Sequence, residues 1–402
     1  MTTSGDPWFQ SLFAERIGGT DYGKGTEIYK FERIKRAKRA VLQAHPQRRL
    51  LDFGIGENDD MADPIVRESL KREVDRLENR GYADNGIPAF KNAAAGFMKK
   101  VFGVTIDPAT EINHAIGSKP ALAMLPAVFI NPGDVTLMTV PGYPVAGTHT
   151  RYYGGEVYNL PLLEENGFFP DLGTIPPEIC RRAKLLVINY PNSPTGAVAT
   201  QGFYRRVIDF ARTNQVVVVQ DAAHVLLSYE SRPLSFLQVE GAKEVGVEIH
   251  SMSKGFNMIG WRMAFVAGHP TIVQAFADVK DNCDSGQFMA IQQAARVALE
   301  HPEIGDRTRE KYRRRLQKLI AALNQVGFKA QMPGGTYFLY VRAPKSGAGR
   351  NFANAEEASQ FLIQEQSVVC VPWDNAGPYL RFSVTYLAND GAEEDDLMAE
   401  TW

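Results

Sequence analysis

The chain has 402 residues, of which 44% are hydrophobic and 22% charged, and its formal net charge is −2. These values are typical of a globular protein with a sizeable core and room for two domains. The near-neutral charge gives no general attraction to nucleic acid or membranes, and no apolar run is long enough to span a bilayer. The three cysteines lie far apart, which predicts neither disulfides nor a metal site and favours a cytoplasmic setting.

Short apolar runs alternate with helix-like stretches from about residue 48 to residue 290. Several runs are continuous in Val, Ile and Leu, which is typical of strands covered on both faces. The predicted strands are Arg49–Phe53, Glu111–Ile116, Val135–Val140, Glu156–Leu160, Lys184–Asn189, Val216–Gln220, Val245–Ile249 and Met263–Ala267. The helix-like segments include Pro64–Asn79, Pro88–Phe102 and Phe203–Asn214. The alternation predicts an open α/β sheet with catalytic loops at the carboxyl ends of its strands.

The pattern changes after residue 290. A long amphipathic stretch from Phe288 to Val326 contains Pro302, which predicts two helices. Further strands are predicted at Thr336–Val341, Val368–Pro372 and Leu380–Val384, and a further helix at Ala355–Gln366. We therefore expect a large domain over residues 48–290. A smaller α+β domain is expected from residues 291–402 together with residues 1–47, which include an N-terminal arm.

Lys254 is the most informative residue of the chain. It follows a predicted strand, and residues 251–262 read Ser-Met-Ser-Lys-Gly-Phe-Asn-Met-Ile-Gly-Trp-Arg. A lysine buried at a strand end has a lowered pKa and can form a Schiff base. The alternative is an ordinary exposed lysine, which the neighbouring Ser251, Ser253 and Arg262 disfavour because they offer donors to a phosphate.

Further candidate donors lie at Ser118 and Lys119. Gly117-Ser118-Lys119 follows a predicted strand and opens a helix at Pro120. Such a helix start binds anions through its free N–H groups, although taken alone it is more often a simple cap.

Two polar segments follow other strands of the predicted sheet. Asp221 ends the strand Val216–Gln220, where an aspartate can keep the ring nitrogen of pyridoxal phosphate (PLP) protonated or can simply cap a turn. Asn192 and Ser193 lie between two prolines that hold them in place. They are candidates for contacting a cofactor oxygen, and a merely rigid loop is the alternative.

Tyr143 and Arg381 complete the set. Tyr143 follows a strand within Pro-Gly-Tyr-Pro and could stack on a flat ring. Arg381 lies on a predicted strand of the smaller domain, where an arginine requires a partner. A substrate carboxylate is one candidate, and a structural carboxylate such as Glu57 is the other.

Together these motifs resemble the class I and II aminotransferases of the fold-type I PLP superfamily over nearly the whole chain. The resemblance implies a mostly parallel, seven-stranded sheet flanked by helices, plus a smaller α+β domain. It implies that Lys254 forms the Schiff base with PLP and moves the proton. It also implies a homodimer with shared active sites and small amino acids and keto acids as substrates. The implied contacts are Asp221 to the ring nitrogen, Ser118, Lys119, Ser251, Ser253 and Arg262 to the phosphate, Tyr143 to the ring, Arg381 and Gly56 to the substrate carboxylate, and Tyr82 to the neighbouring subunit's phosphate.

Two positions depart from the family pattern. The family has Asn directly before Pro-Thr-Gly, where this chain has Ser193 beside Asn192. It has Tyr three residues after the aspartate, where this chain has His224. Both lie around the ring hydroxyl, which implies a rewired hydrogen bond. His224 either donates as tyrosine does or carries a charge near neutral pH.

Within the family the chain resembles the LL-diaminopimelate aminotransferases. The resemblance rests on residues 164–172, on Lys119 and on Tyr29 in a Tyr-Lys-Phe stretch that covers the site. It implies transfer of the amino group of glutamate to tetrahydrodipicolinate, giving LL-diaminopimelate and 2-oxoglutarate in lysine biosynthesis. The subgroup binds the distal ammonium through a neighbouring-subunit glutamate, for which Asp84 or Asn85 would serve here. The open alternatives are an aminotransferase for alanine, aspartate or aromatic amino acids, and a PLP lyase on the same fold.

Overall fold

The computed structural model describes residues 7–24, 30–229, 232–388 and 390–400. Seven strands form a large sheet, and all seven predicted strands between residues 111 and 267 are found in it. Ala264–Gly268 runs antiparallel to both of its neighbours, and the other adjacent pairs run parallel. In spatial order the strands are Ile112–Ala115, Ala264–Gly268, Gly246–Ser251, Val217–Asp221, Ala183–Asn189, Val135–Val140 and Glu156–Pro161. The α/β fold with a mostly parallel central sheet is confirmed.

Helices cover both faces of this sheet. Alternate strand residues enter opposite apolar clusters, with Leu186 packed on the side of Phe203 and Leu185 on the side of Leu122. The continuous apolar strands of the sequence follow from this double burial. The α-helices in the described ranges are Pro7–Gln10, Lys30–Ala44, Pro64–Val74, Pro88–Phe97, Ser118–Phe129, Val145–Tyr152, Pro177–Arg182, Gln201–Asn214, Ala242–Val245, Met252–Gly255, Pro270–Lys280, Met289–Glu300, Glu303–Gln325, Ala355–Gln366 and Gly391–Glu400. None of those in the described residues is long and apolar enough to cross a membrane.

The remaining strands form small sheets around a separate apolar cluster. Val371–Trp373, Tyr379–Ser383 and Phe338–Arg342 pair antiparallel in that order, and Ser346–Gly347 pairs with Arg350–Asn351. The predicted division of residues 288–326 into two helices at Pro302 is confirmed.

The strand predicted at Arg49–Phe53 lies elsewhere than the alternating pattern suggests. Leu51–Asp52 pairs in parallel with Val368–Val369 and takes no part in the large sheet. The apolar run predicted a strand, but two paired residues carry no signal for which sheet they join. A domain boundary at residue 48 would therefore place Leu51–Asp52 in the large domain, although its pairing strand, Val368–Val369, lies within residues 291–402.

Candidate active site

A cavity of about 410 Å³ opens where the carboxyl ends of the large-sheet strands face the smaller sheet. Twelve of the residues singled out in the sequence line it. They are Gly56, Ser118, Lys119, Tyr143, Ser193, Asp221, His224, Ser251, Ser253, Lys254, Arg262 and Arg381. Residues far apart in the chain thus meet in one space, because the parallel strands present their carboxyl ends at one edge of the large sheet and the smaller sheet, which contains Arg381, faces that edge.

Lys254 lies in a one-turn helix, Met252–Gly255, directly after the strand Gly246–Ser251. The Ser251 hydroxyl caps this turn by accepting from the Ser253 N–H at 3.1 Å. Lys254 Nζ donates to the carbonyl of Gly56 at 3.1 Å, and the Tyr337 hydroxyl donates to the same carbonyl at 2.8 Å. The lysine amine is thereby held at a defined point in the cavity.

Asp221 ends the strand Val217–Asp221 and is buried. Burial raises the pKa of Asp221 from 3.8 to about 6, whereas the Ala223 N–H and the electrostatic influence of Lys254 and His250 act to lower it. A cation brought next to this carboxyl would favour its charged form. Asp221 is therefore placed to pair with a protonated ring nitrogen.

An anion cradle surrounds the start of the helix Ser118–Phe129. Gly117 before it has φ +89°, and a Cβ there would lie 2.3 Å from Arg262 Nη2. Only glycine lets the guanidinium approach the helix start this closely. The free N–H groups of the first turn, the hydroxyls of Ser118, Ser251 and Ser253, and the Arg262 fork then converge in one cavity.

Arg381 lies on the strand Tyr379–Ser383 and is buried, with 7% of its surface exposed. Its Nη2 donates to the Gly54 carbonyl at 3.1 Å, and its guanidinium lies 4.2 Å from the centre of the Phe338 ring. A Cβ on Gly56 would come within 3.9 Å of the same Nη2. Arg381 and Gly56 thus form one wall, which is suited to a carboxylate.

His224 is buried edge-to-face against Tyr337, with ring centroids 5.2 Å apart. Burial, reinforced by Lys254 and Arg381, holds the pKa of His224 well below its ordinary value. This direction favours the neutral imidazole, and no hydrogen-bond partner lies near its buried Nδ1 within the described part of the chain.

Ser193 and Asn192 separate in the structure. Ser193 lines the cavity, and its N–H donates to Asn189 Oδ1 at 2.9 Å. Asn192 is fully buried in the turn, where its Oδ1 accepts from the Thr195 hydroxyl at 2.7 Å, and it does not line the cavity. Asn189, whose Nδ2 donates to the Asp221 carbonyl at 2.8 Å, lies at the wall instead.

The residues at the mouth of the cavity are more exposed to solvent than Asp221 and Arg381. Tyr143 is 43% exposed, and Lys119 is exposed at the helix start. Tyr82, Asp84 and Asn85 lie outside the cavity of their own chain. Tyr82 is 83% exposed, and the Asn85 side chain is engaged with Asp281 at 2.7 Å. Tyr29 lies outside the described residues.

Phe31, the last residue of the Tyr-Lys-Phe stretch, lines the cavity, whereas other lining residues went unrecognised in the sequence: Asn189, Ala223, Ile259, Tyr337 and Phe338. Asn189 carried a usable signal, because it is a polar residue at the end of the strand next to that of Asp221. Tyr337 and Phe338 belong to the smaller sheet, and their contribution depends on how that sheet meets the large one.

The comparisons with known proteins agree with this geometry. The family model for aminotransferase class I and II matches residues 48–394. The LL-diaminopimelate aminotransferase of Methanocaldococcus jannaschii is 59% identical over 386 residues, which are 96% of this chain and 92% of that enzyme. The enzyme of the same name from Methanococcus maripaludis is 55% identical over 98% of this chain and 97% of its own length.

Solved structures show the same architecture. The apo form of BacF from Bacillus subtilis superposes with a TM-score of 0.85 at 32% identity, covering 93% of this chain and 95% of that one. A probable N-succinyldiaminopimelate aminotransferase from Thermus thermophilus has a TM-score of 0.83 at 27% identity, covering 93% and 98%.

Proposed function

The chain belongs to the class I and II aminotransferases, and from that premise we propose that it transfers the amino group of glutamate to tetrahydrodipicolinate. The products are 2-oxoglutarate and LL-diaminopimelate, a step of lysine biosynthesis. The catalytic part of the proposal is carried by one observation: Lys254 Nζ lies in a cavity that also contains Asp221, the anion cradle and Arg381. The substrate is supported by the 59% identity to an LL-diaminopimelate aminotransferase over nearly the whole chain.

The cavity fits PLP as cofactor. The cradle at Gly117 and Arg262 suits a phosphate dianion, and Asp221 suits a protonated pyridine nitrogen. Tyr143 lines the cavity and would stack on the cofactor ring, and Ser193, Asn189 and His224 line the same cavity and would contact the ring hydroxyl. When bound, PLP supplies an electron sink for the charge left on the substrate α-carbon after its proton is removed.

The protein residues divide the remaining work. Arg381, held by the Gly54 carbonyl and the Phe338 ring, binds the substrate α-carboxylate and so fixes the orientation of the α-carbon. Lys254 would take up the substrate α-proton at Nζ as a general base and release it again as a general acid. The Gly56 carbonyl, which accepts from Lys254 Nζ, keeps the amine within reach when it carries that proton.

The distal end of the substrate is proposed to meet two subunits. We propose that the chain forms a homodimer in which Tyr82 of one subunit reaches the phosphate of the other. Lys119 would then bind the distal carboxylate and Asp84 of the partner subunit the distal ammonium. Asp84 is favoured over Asn85 because the Asn85 amide is occupied by Asp281 and Asn113.

The substrate assignment is tested by one set of assays. Purified enzyme with glutamate as donor is offered tetrahydrodipicolinate, pyruvate, oxaloacetate and phenylpyruvate. We expect the highest kcat/KM with tetrahydrodipicolinate, because Asp84 remains unpaired with all three simpler acceptors and Lys119 also remains unpaired with pyruvate and phenylpyruvate. If the enzyme turns over another acceptor but does not aminate tetrahydrodipicolinate, the proposed substrate is wrong. The assignment as an aminotransferase is unaffected by that result.

A further inference from the structure

Lys280 is a lysine with no exposed side-chain surface at the end of the helix Pro270–Lys280. Burying an ammonium is unfavourable unless it is paired and hydrogen-bonded. Its Nζ donates to the backbone carbonyl of Asp84 and to the carboxylate of Asp284 at 2.5 Å. The buried charge is thus used to hold the loop of residues 82–86, far in sequence from the helix that carries it.

The same loop is held at further points by the segment after Lys280. Ala83 forms a parallel bridge with Gly286, whose own N–H donates to Asp284 at 2.8 Å. Gly286 has φ +82°, and a Cβ there would lie 2.3 Å from the Ala83 carbonyl oxygen. Asn85 adds its contact to Asp281 at 2.7 Å. The loop backbone is therefore fixed, while Tyr82 at its start is 83% exposed.

The segment also reaches the anion cradle of its own chain. Gln287 Nε2 donates to the carbonyl of Trp261 at 2.6 Å, next to Arg262. One stretch, residues 280–287, thus connects the cradle of one subunit to the loop that presents Tyr82.

We propose that Lys280 is a positioning residue that acts across the dimer: through Asp84 and Asp284 it orders the loop that completes the phosphate site of the partner subunit. This rests on the proposed homodimer with Tyr82. Loss of Lys280 then weakens PLP binding in the opposite subunit and leaves the residues of its own cavity in place.

The test uses heterodimers carrying different tags. Lys280→Met is paired with Lys254→Ala, so that the intact Lys254 site receives Tyr82 from a subunit whose loop is intact. If Lys280 acts across the dimer, this heterodimer recovers about half of the wild-type activity, because one of its two sites is intact. Both parent homodimers are impaired. An activity no higher than that expected from the Lys280→Met homodimer would overturn the proposal, because Lys280 would then act within its own subunit.

Tyr82→Phe paired with Lys254→Ala is the reference heterodimer. If it too fails to recover, the loop does not cross and the proposed dimer arrangement fails. If it recovers and the Lys280→Met heterodimer does not, only the role of Lys280 fails. Asp284→Asn, which keeps an acceptor for the Gly286 N–H, replaces Lys280→Met should that variant not fold.

Binding and exchange measurements give readouts independent of turnover. When the apoproteins are titrated with PLP, the Lys280→Met homodimer should bind PLP roughly tenfold to a hundredfold more weakly than the wild type does, because one donor to the phosphate is misplaced. Hydrogen exchange of residues 82–86 should become faster. Lys318→Met is the matched control, because it removes a partly buried lysine paired with Asp395 at 2.7 Å in another part of the fold. It should retain wild-type affinity; unchanged affinity and exchange in Lys280→Met would contradict the proposal.

Discussion

The two ends of the cavity are built differently. At the cofactor end, Asp221, Asn189 and Ser251 end neighbouring strands of one sheet, and Asp221 and Asn189 are buried. At the distal end, Lys119 is exposed and the loop containing Tyr82 and Asp84 lies outside the cavity of its own chain. The chemistry common to the family thus rests on rigid strand ends, whereas the proposed specificity depends on exposed residues and a second copy of the chain.

The strongest test of the cofactor end is Lys254→Ala. Removing the amine eliminates both the attachment of the cofactor and the proton transfer, so kcat should fall by at least about 10⁴-fold. The borohydride-reducible absorbance of the protein with PLP should disappear as well. Retention of either property would mean that the cofactor end is not centred on Lys254.

Asp221→Asn should lower kcat on the order of 10²- to 10³-fold, because the charge partner of the ring nitrogen is lost. The same change should stabilise the apoprotein. The unfolded carboxyl ionises near 3.8 and the folded one near 6, so the free energy of unfolding of the wild type falls as pH rises through this range.

The expected fall is about 3 kcal/mol, and it is absent in the asparagine variant. Denaturant unfolding of both apoproteins at pH 4 and pH 7 measures it. If the free energy of unfolding changes by the same amount in both proteins between pH 4 and pH 7, burial does not raise the pKa of Asp221.

At the distal end, Asp84→Ala should raise KM for tetrahydrodipicolinate by about tenfold, the effect of losing one charge-assisted hydrogen bond. The half-reaction with glutamate should change little, because glutamate has no distal ammonium. Asn85→Ala is the matched control in the same loop. If Asn85→Ala gives the larger KM effect, the assignment of the distal ammonium to Asp84 is wrong.

The smallest effect is expected from Ser193→Asn, which restores the residue usual in the family. Asn189 and His224 already line the cavity beside Ser193, so the added amide should change kcat/KM by no more than about threefold. An increase of tenfold or more would show that the ring hydroxyl is poorly satisfied in this chain. The absorbance spectrum with PLP, followed against pH, reports the same site directly.

The cofactor end could be predicted from the sequence because each of its residues follows a continuous apolar strand, and parallel strands bring such positions together. Asn189 could have been found by the same rule. Asn192 could not be separated from Ser193, because the direction of a side chain in a turn with two prolines is set by its contact to Thr195. The strand at Leu51 was predicted but its partner was not, since two paired residues carry too little pattern.

The pairing of Leu51–Asp52 with Val368–Val369 has a consequence for engineering substrate range. It pairs the residues just before Gly54 and Gly56 with Val368–Val369, which lead directly into Val371–Trp373, the strand paired with the one that contains Arg381. A chimaera that imports only residues 379–383 from a relative would combine an arginine and a glycine loop that were never fitted to each other. Grafting should therefore move residues 51–56, 368–373 and 379–383 as one module and leave the strand ends of the large sheet untouched.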